Sequence, residues 1–220
     1  MYGQSNPYAA PAPPGSYASA YEGYRTAVPA GFTGDRAAGK PWIKWAYLAC
    51  LVLSVLGIIG GITMIAMSSE ADDYDTRETI SMLGGMLVFG SLLFMNVKLV
   101  LSLVWLHGAW SWIPFEQRYT GRGKPVTPTN AALMLIIPYY NLYWMFVVNV
   151  GLCDALERMR LQYRTVSAAP RGTAIGAAVC QLIPFVNLFI APFVWFFYML
   201  GVDKVRAELI AQIDSAPMPG

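Results

Sequence analysis

Four long apolar runs separated by short polar blocks organise this chain, at residues 42–67, 80–106, 131–153 and 173–201. A membrane span needs about 20 predominantly apolar residues. Each run meets that length, so the pattern predicts an all-α, polytopic membrane bundle of four transmembrane helices over residues 42–213. Residues 1–41 lack apolar periodicity and are rich in Pro, Ala, Gly, Ser and Tyr, with Tyr2, Tyr8, Tyr17, Tyr21 and Tyr24 spread along them. That composition predicts a disordered tail. Residues 214–220 read as a flexible C-terminus. The first residues lack the charged start and short apolar core of a cleavable signal, so run 42–67 is expected to act as an uncleaved anchor.

One phrase is written twice. Ile137-Pro138-Tyr139-Tyr140-Asn141-Leu142 returns as Ile183-Pro184-Phe185-Val186-Asn187-Leu188, each copy inside an apolar run. Proline removes a backbone donor and asparagine brings an amide that needs partners; both are awkward in hydrocarbon. The duplication predicts proline-bent third and fourth helices and an internal repeat. After each bend the apolar face continues as an amphipathic exit. Leu152, Leu156, Met159 and Tyr163 mark the first exit, and Val202, Val205, Leu209 and Ile213 the second. Asp154 and Arg158 are spaced to pair at i, i+4.

The remaining candidate positions lie in the first two runs and near the repeats. Gly57 and Gly61 form a GxxxG pair, which lets helices approach closely. Packing within the bundle is the expected use of that face. Asn96 and Lys98 lie inside the second run. An intramembrane charge is a functional candidate by default. Lys98 is about 12 Å along the helix from Leu106, at 1.5 Å per residue, so snorkelling towards the headgroups competes with that role. With Asn149, the amides of Asn96, Asn141 and Asn187 and the Lys98 ammonium are structural positions or the lining of a ligand site, and Asn141 and Asn187 are expected to lock the two bends and tie the third and fourth helices together. Pro138 and Pro184 shape it.

Composition narrows the classes further. Of 220 residues, 56% are hydrophobic and 13% charged, and the formal net charge is +2. A soluble domain carries about 25% charged residues. Near-neutral charge points to no nucleic-acid partner. Cys50, Cys153 and Cys180 lack CxxC neighbours, and His107 is the single histidine, so no metal site is expected. His107 sits between Trp105, Trp110 and Trp112 in a stretch that reads as a membrane-surface segment. The acids of 68–79 fail the EF-hand spacing, and Gly121-Arg122-Gly123-Lys124 fails the phosphate-loop pattern. No catalytic residue and no cofactor is assigned.

Thr127-Pro128, Ala131-Ala132, the phrase Ile137 to Leu142 with Tyr143-Trp144 and Phe146, and Gly151-Leu152 together resemble a group of uncharacterised bacterial inner-membrane proteins. Their third span carries the form T-P-x-x-A…I-P-F-F-N-L-Y-W. The resemblance covers about residues 90–210. Thr129-Asn130 departs from the more usual Gly-Lys, and the stretch 105–115 matches loosely. The resemblance implies a four-span fold in the bacterial cytoplasmic (inner) membrane and brings no catalytic residues.

Charge decides orientation. The basic loop 117–129 and the acidic loop 68–79 agree that both termini are cytoplasmic. The connection between runs three and four carries Arg158, Arg160, Arg164 and Arg171, yet four spans place it outside. Re-entrant hairpins at Pro138 and Pro184 would keep every basic block on one side, provided protein or water covers their backbone. Four full spans are the favoured expectation on run length. The expected function is a non-enzymatic integral membrane protein that binds or scaffolds other membrane or envelope components. The alternative is a small transporter, channel or lipid-handling protein built on the broken helices around Asn141 and Asn187. Expected partners are the lipid bilayer, a protein docking through the tail, and a second copy of the chain.

Overall fold

Helix formation in the first half follows the apolar pattern. The structure, a computed structural model, describes residues 34–35, 40–120 and 123–215. The expected tail over 1–41 therefore lies largely outside the described residues, as do residues 216–220. Helix α1 runs Trp42–Ser68 and α2 runs Tyr74–Trp112. The acidic loop is shorter than its polar composition suggests, because Asp73 caps α2. Its carboxylate accepts the Thr76 N–H at 3.0 Å and the Thr76 hydroxyl at 2.9 Å. Those bonds hold the Asp73 carboxyl below the usual carboxylate range. With 39 residues at 1.5 Å each, α2 is about 58 Å long, well beyond a bilayer core of about 30 Å.

These two helices are long and apolar enough to cross a membrane, and their faces are bare. Of the most apolar 18-residue window, 17% is buried in α1 and 6% in α2. A core helix of a soluble protein would be mostly buried. Ile59, Ile62, Phe89, Leu93 and Val100 are instead exposed. What α1 and α2 bury is a narrow stripe of small groups against each other. A Cβ on Gly61 would lie 2.6 Å from the Gly84 carbonyl oxygen, and one on Gly84 would lie 2.8 Å from that of Gly61. A Cβ on Gly57 would collide with Ser91 Oγ. Gly57 and Gly61 thus face α2 of the same chain.

The third and fourth apolar runs are not single bent helices. The first copy of the repeat is split into α3 (Pro128–Leu133) and α4 (Tyr140–Tyr163). The second is split into α5 (Arg171–Leu182), α6 (Pro184–Phe189) and α7 (Ala191–Ser215). The reason is local. Residues before proline avoid the helical region. Ile183 is extended, at φ −102° and ψ 113°, and Pro184 starts a new helix at its first turn, where its missing donor costs nothing. In the first copy Tyr139 takes φ 61° and ψ −41°, and its neighbour Tyr140 donates N–H to the Pro138 carbonyl at 2.7 Å. Thr127 caps α3 by accepting the Asn130 N–H at 3.1 Å, with Pro128 beginning the helix.

The core lies at one end of the hairpin, which we call the base. Trp105, Trp110 and Trp112 of α2 are buried there. The amphipathic faces predicted for the two exits supply their partners, with Leu152, Leu156 and Met159 on α4 and Val202, Val205 and Leu209 on α7. Trp105, Trp195 and Tyr198 meet edge to face, with centroids 5.4–6.2 Å apart. Polar ties hold the same end. Lys44 of α1 pairs with Asp203 of α7 at 2.7 Å. Arg158 of α4 donates to the Gln117 and Tyr119 carbonyls at 2.9 and 2.8 Å and lies over the Tyr119 ring. Asp154 takes Arg171 at 2.5 Å, while Arg158 turns to that loop and still acts on Asp154 through its charge.

These contacts bring loops 113–127 and 164–170 to one end of the molecule. Thr120 lies against Gly151, and Pro170 against Gly201. Glu208 of α7 accepts the Ser167 N–H at 2.9 Å and also its hydroxyl. The acidic connection 69–73 is at the far end of the hairpin, some 25 residues of helix away on the α1 side.

Two outcomes are expected. Gly84→Leu should lower stability by about 1–3 kcal/mol, the usual cost of overpacking a tight contact. Gly85→Leu should be neutral, since nothing lies within 4 Å of its Cβ. Equal melting temperatures for the two variants in detergent would remove the glycine seam as a determinant of the hairpin. The second concerns acid. Ser167 holds the Glu208 carboxyl below the usual glutamate range. A depressed folded value means stability that is present above the unfolded value of about 4.3 and is lost as pH falls through the folded one. Glu208→Gln should therefore flatten the fall in melting temperature between neutral pH and pH 3, and an unchanged acid limb would count against the contact.

Candidate functional site

The two Ile-Pro-x-x-Asn-Leu turns face one another across a cavity. It has a volume of about 430 Å³ and is half open to the surroundings. Its polar lining is Lys98 and Ser102 from α2, Asn141 from α4, Gln181 from α5 and Asn187 from α6, with Tyr47 of α1. Met95, Leu99, Leu135, Met145 and Leu188 supply apolar wall, and Trp195 closes it towards the core.

Backbone geometry explains why the amides are left over for this space. In each copy the asparagine N–H, not its side chain, satisfies the carbonyl of the isoleucine before proline. Asn141 N donates to Ile137 O at 3.0 Å, and Asn187 N donates to Ile183 O at 2.7 Å. The second turn adds Ile190 N to Val186 O at 2.8 Å. The turns close themselves, so the two side-chain amides make no hydrogen bond among the described residues. The expected lock of each bend through its asparagine side chain has no hydrogen bond behind it among the described residues. The first copy is tied differently, by Trp144 Nε1 donating to the Ala131 carbonyl at 3.3 Å.

Three of the five predicted polar candidates converge, namely Lys98, Asn141 and Asn187, and Pro184 lies beside them. Two do not. Asn96 is exposed and donates to the Leu92 carbonyl one turn back at 2.8 Å. Asn149 is fully buried, donates to the Met145 carbonyl at 2.8 Å, and offers its own carbonyl to the Tyr198 hydroxyl at 3.2 Å. Pro138 sits at the first turn but is not part of the lining.

Charge in the cavity is one-sided. Lys98 is the single ionised group of the lining, and no described carboxylate pairs with it. Asp203 is held by Lys44 and accepts the Trp105 indole at 3.4 Å. Trp195 keeps a buried indole N–H without an acceptor. Gln181, Ser102 and Asp203 were missed by sequence reasoning. Each looks like an ordinary polar residue in the sequence; Gln181 and Ser102 reach the cavity lining, and Asp203 ties α7 to Lys44 of α1 and Trp105 of α2.

Among the described residues no group of His, Cys, Asp and Glu side chains could hold a metal ion. His107 is exposed and has Ser111 Oγ at 3.5 Å from Nδ1, one turn away on the same helix. Compared with protein-family models, with curated proteins and with solved structures, the chain matches none.

Removing either amide should cost little stability. Asn141→Leu and Asn187→Leu are expected to stay within about 0.5 kcal/mol of wild type, as substitutions away from bonded networks do. Detergent-phase unfolding checks this, and a loss of a kilocalorie or more per variant would restore the locking role.

Proposed function

We propose that this chain is a non-enzymatic integral membrane protein that holds an amphipathic small molecule at membrane depth. Two spans, α1 and α2, carry it. Two re-entrant hairpins, α3–α4 and α5–α6–α7, enter from the base and build the site between them. The convergence of Lys98, Asn141 and Asn187 on one cavity carries this reading. Broken helices with polar groups near mid-membrane are how membrane proteins form such sites.

Several observations support the re-entrant arrangement over four spans. Helix α5 has 12 residues, about 18 Å at 1.5 Å each, against a core of about 30 Å. The turn regions expose Ile136, Tyr139, Ile183, Phe185 and Phe189, an apolar tip suited to lipid. Loops 113–127 and 164–170 share the base, so all the basic blocks fall on one side. The charge conflict of the four-span reading then disappears, and the base faces the cytoplasm. The resemblance over 127–144 supports placing the protein in a bacterial inner membrane.

Two experiments test this. Protein released in mild detergent should carry about one bound amphiphile per chain by native mass spectrometry. The double variant Asn141→Leu/Asn187→Leu should lose most of it. Equal retention would return the scaffolding reading, in which the cavity is incidental. For topology, single cysteines at Gly123 and Ala168, in a background without Cys50, Cys153 and Cys180, should label from the same side, and one at Asp73 from the other. All three positions are exposed. Labelling of Ala168 from the side of Asp73 would re-establish four spans.

A further inference from the structure

We infer that the molecule held in the cavity is anionic, with a phosphate or carboxylate headgroup seated against Lys98 and its apolar part leaving sideways into the bilayer. This rests on the binding role of the cavity proposed above and adds the charge class and the exit route.

The argument begins with Lys98. An ammonium at membrane depth is retained when something compensates it. The lining offers hydroxyl, amide and thioether groups but no acid, and Asp203 is already paired. Among the described residues no acid compensates it at this point, and an anion does. Around the ammonium stand the right partners for a headgroup. Asn141, Asn187 and Gln181 each bring two amide donors, and neither Asn141 nor Asn187 uses them elsewhere. Charge-assisted bonds from an ammonium and amide donors to phosphate or carboxylate oxygens are stronger than neutral ones.

The walls settle the rest of the ligand. Leu99 and Leu188 line the cavity and are also 57% and 42% exposed on the apolar surface. The cavity therefore opens through side chains that face hydrocarbon, and a free ion would leave that apolar rim unused. A volume of about 430 Å³ suits a headgroup with the first part of its chains, not a whole two-chain lipid. Snorkelling is the competing account of Lys98. It makes the ammonium indifferent to which headgroup is near.

The test uses the full chain in nanodiscs of equal phosphatidylglycerol and phosphatidylcholine, followed by native mass spectrometry of the released protein. Wild type should keep phosphatidylglycerol over phosphatidylcholine by roughly tenfold. Lys98→Arg should keep that preference, and Lys98→Gln should retain a lipid without it. Added inorganic phosphate or glycerol phosphate at millimolar concentration should not displace the lipid. Full displacement would show a soluble anion as the ligand and overturn the amphiphile. Equal retention of both lipids by wild type would overturn the charge selection and leave the cavity's binding role standing. Retention of neither would overturn both. The wild-type and arginine measurements decide the matter even where the glutamine variant is too unstable to recover.

Discussion

In hydrocarbon every backbone N–H and C=O has to find its partner inside the protein, and the rest of this structure follows from how that demand is met. A proline inside an apolar run breaks the helical ladder. Here each break is repaired by backbone alone, through the asparagine N–H and the isoleucine carbonyl. Had the side-chain amides been needed for repair, they would be unavailable for anything else. Because they are not, two polar groups stand free at the same depth on facing turns. The conformation is not without cost. Tyr139 sits at φ 61°, a region that penalises a side chain by about 1–3 kcal/mol. The antiparallel partner contact from Trp144 to Ala131 holds the first turn in place.

The base solves the opposite problem, because its charges need partners or water. Most of its arginines and acids are tied across elements rather than along a helix. Arg158 ties α4 to the loop after α2, Arg171 ties α5 to α4, and Lys44 ties α1 to α7. Exposed pairs such as Arg160–Glu157 contribute little by themselves. The inter-element ones matter through geometry. They gather the ends of α1, α2, α4 and α7 into one plane, above which the apolar parts project.

Reading the sequence recovers the helical class, the two long apolar helices, the start of the third segment at Thr127 and the importance of the repeated phrase. It does not recover where the repeated runs go. Run length was the criterion for spanning, and runs 131–153 and 173–201 are long enough. Length alone is blind to a break at Ile183 or Tyr139, which divides one apolar run between separate helices. The arginines between runs three and four signalled the conflict, since four spans put them on the side opposite the basic loop 117–129. The site was half legible. Lys98, Asn141 and Asn187 are conspicuous because polar groups are rare in apolar runs, whereas Gln181 and Ser102 are not. Asn96 and Asn149 were equally conspicuous and lie elsewhere, since helix phase, not residue type, decides which face a side chain occupies. Asp154 takes Arg171 directly and feels Arg158 through its charge, because loop carbonyls hold the latter.

The buried positions on α2 carry one more consequence. Gly84, Ser91, Trp105 and Trp112 fall on a seven-residue register, and Lys98 occupies the step between Ser91 and Trp105. Seven residues are nearly two full turns, so these five positions form a single row drifting about 20° per step. Along the row side-chain bulk rises from nothing to an indole. The facing row on α1 falls the other way, from Tyr47 through Ser54 to Gly61. The pair is thus a taper written into two sequences, closed at the loop end and splayed at the base. Lys98 stands one heptad beyond the Gly57–Ser91 contact, at the step where the row meets the cavity lined by Asn141 and Asn187. Moving the lysine a single heptad towards the loop would place it in the seam, where there is no room for any side chain of its length.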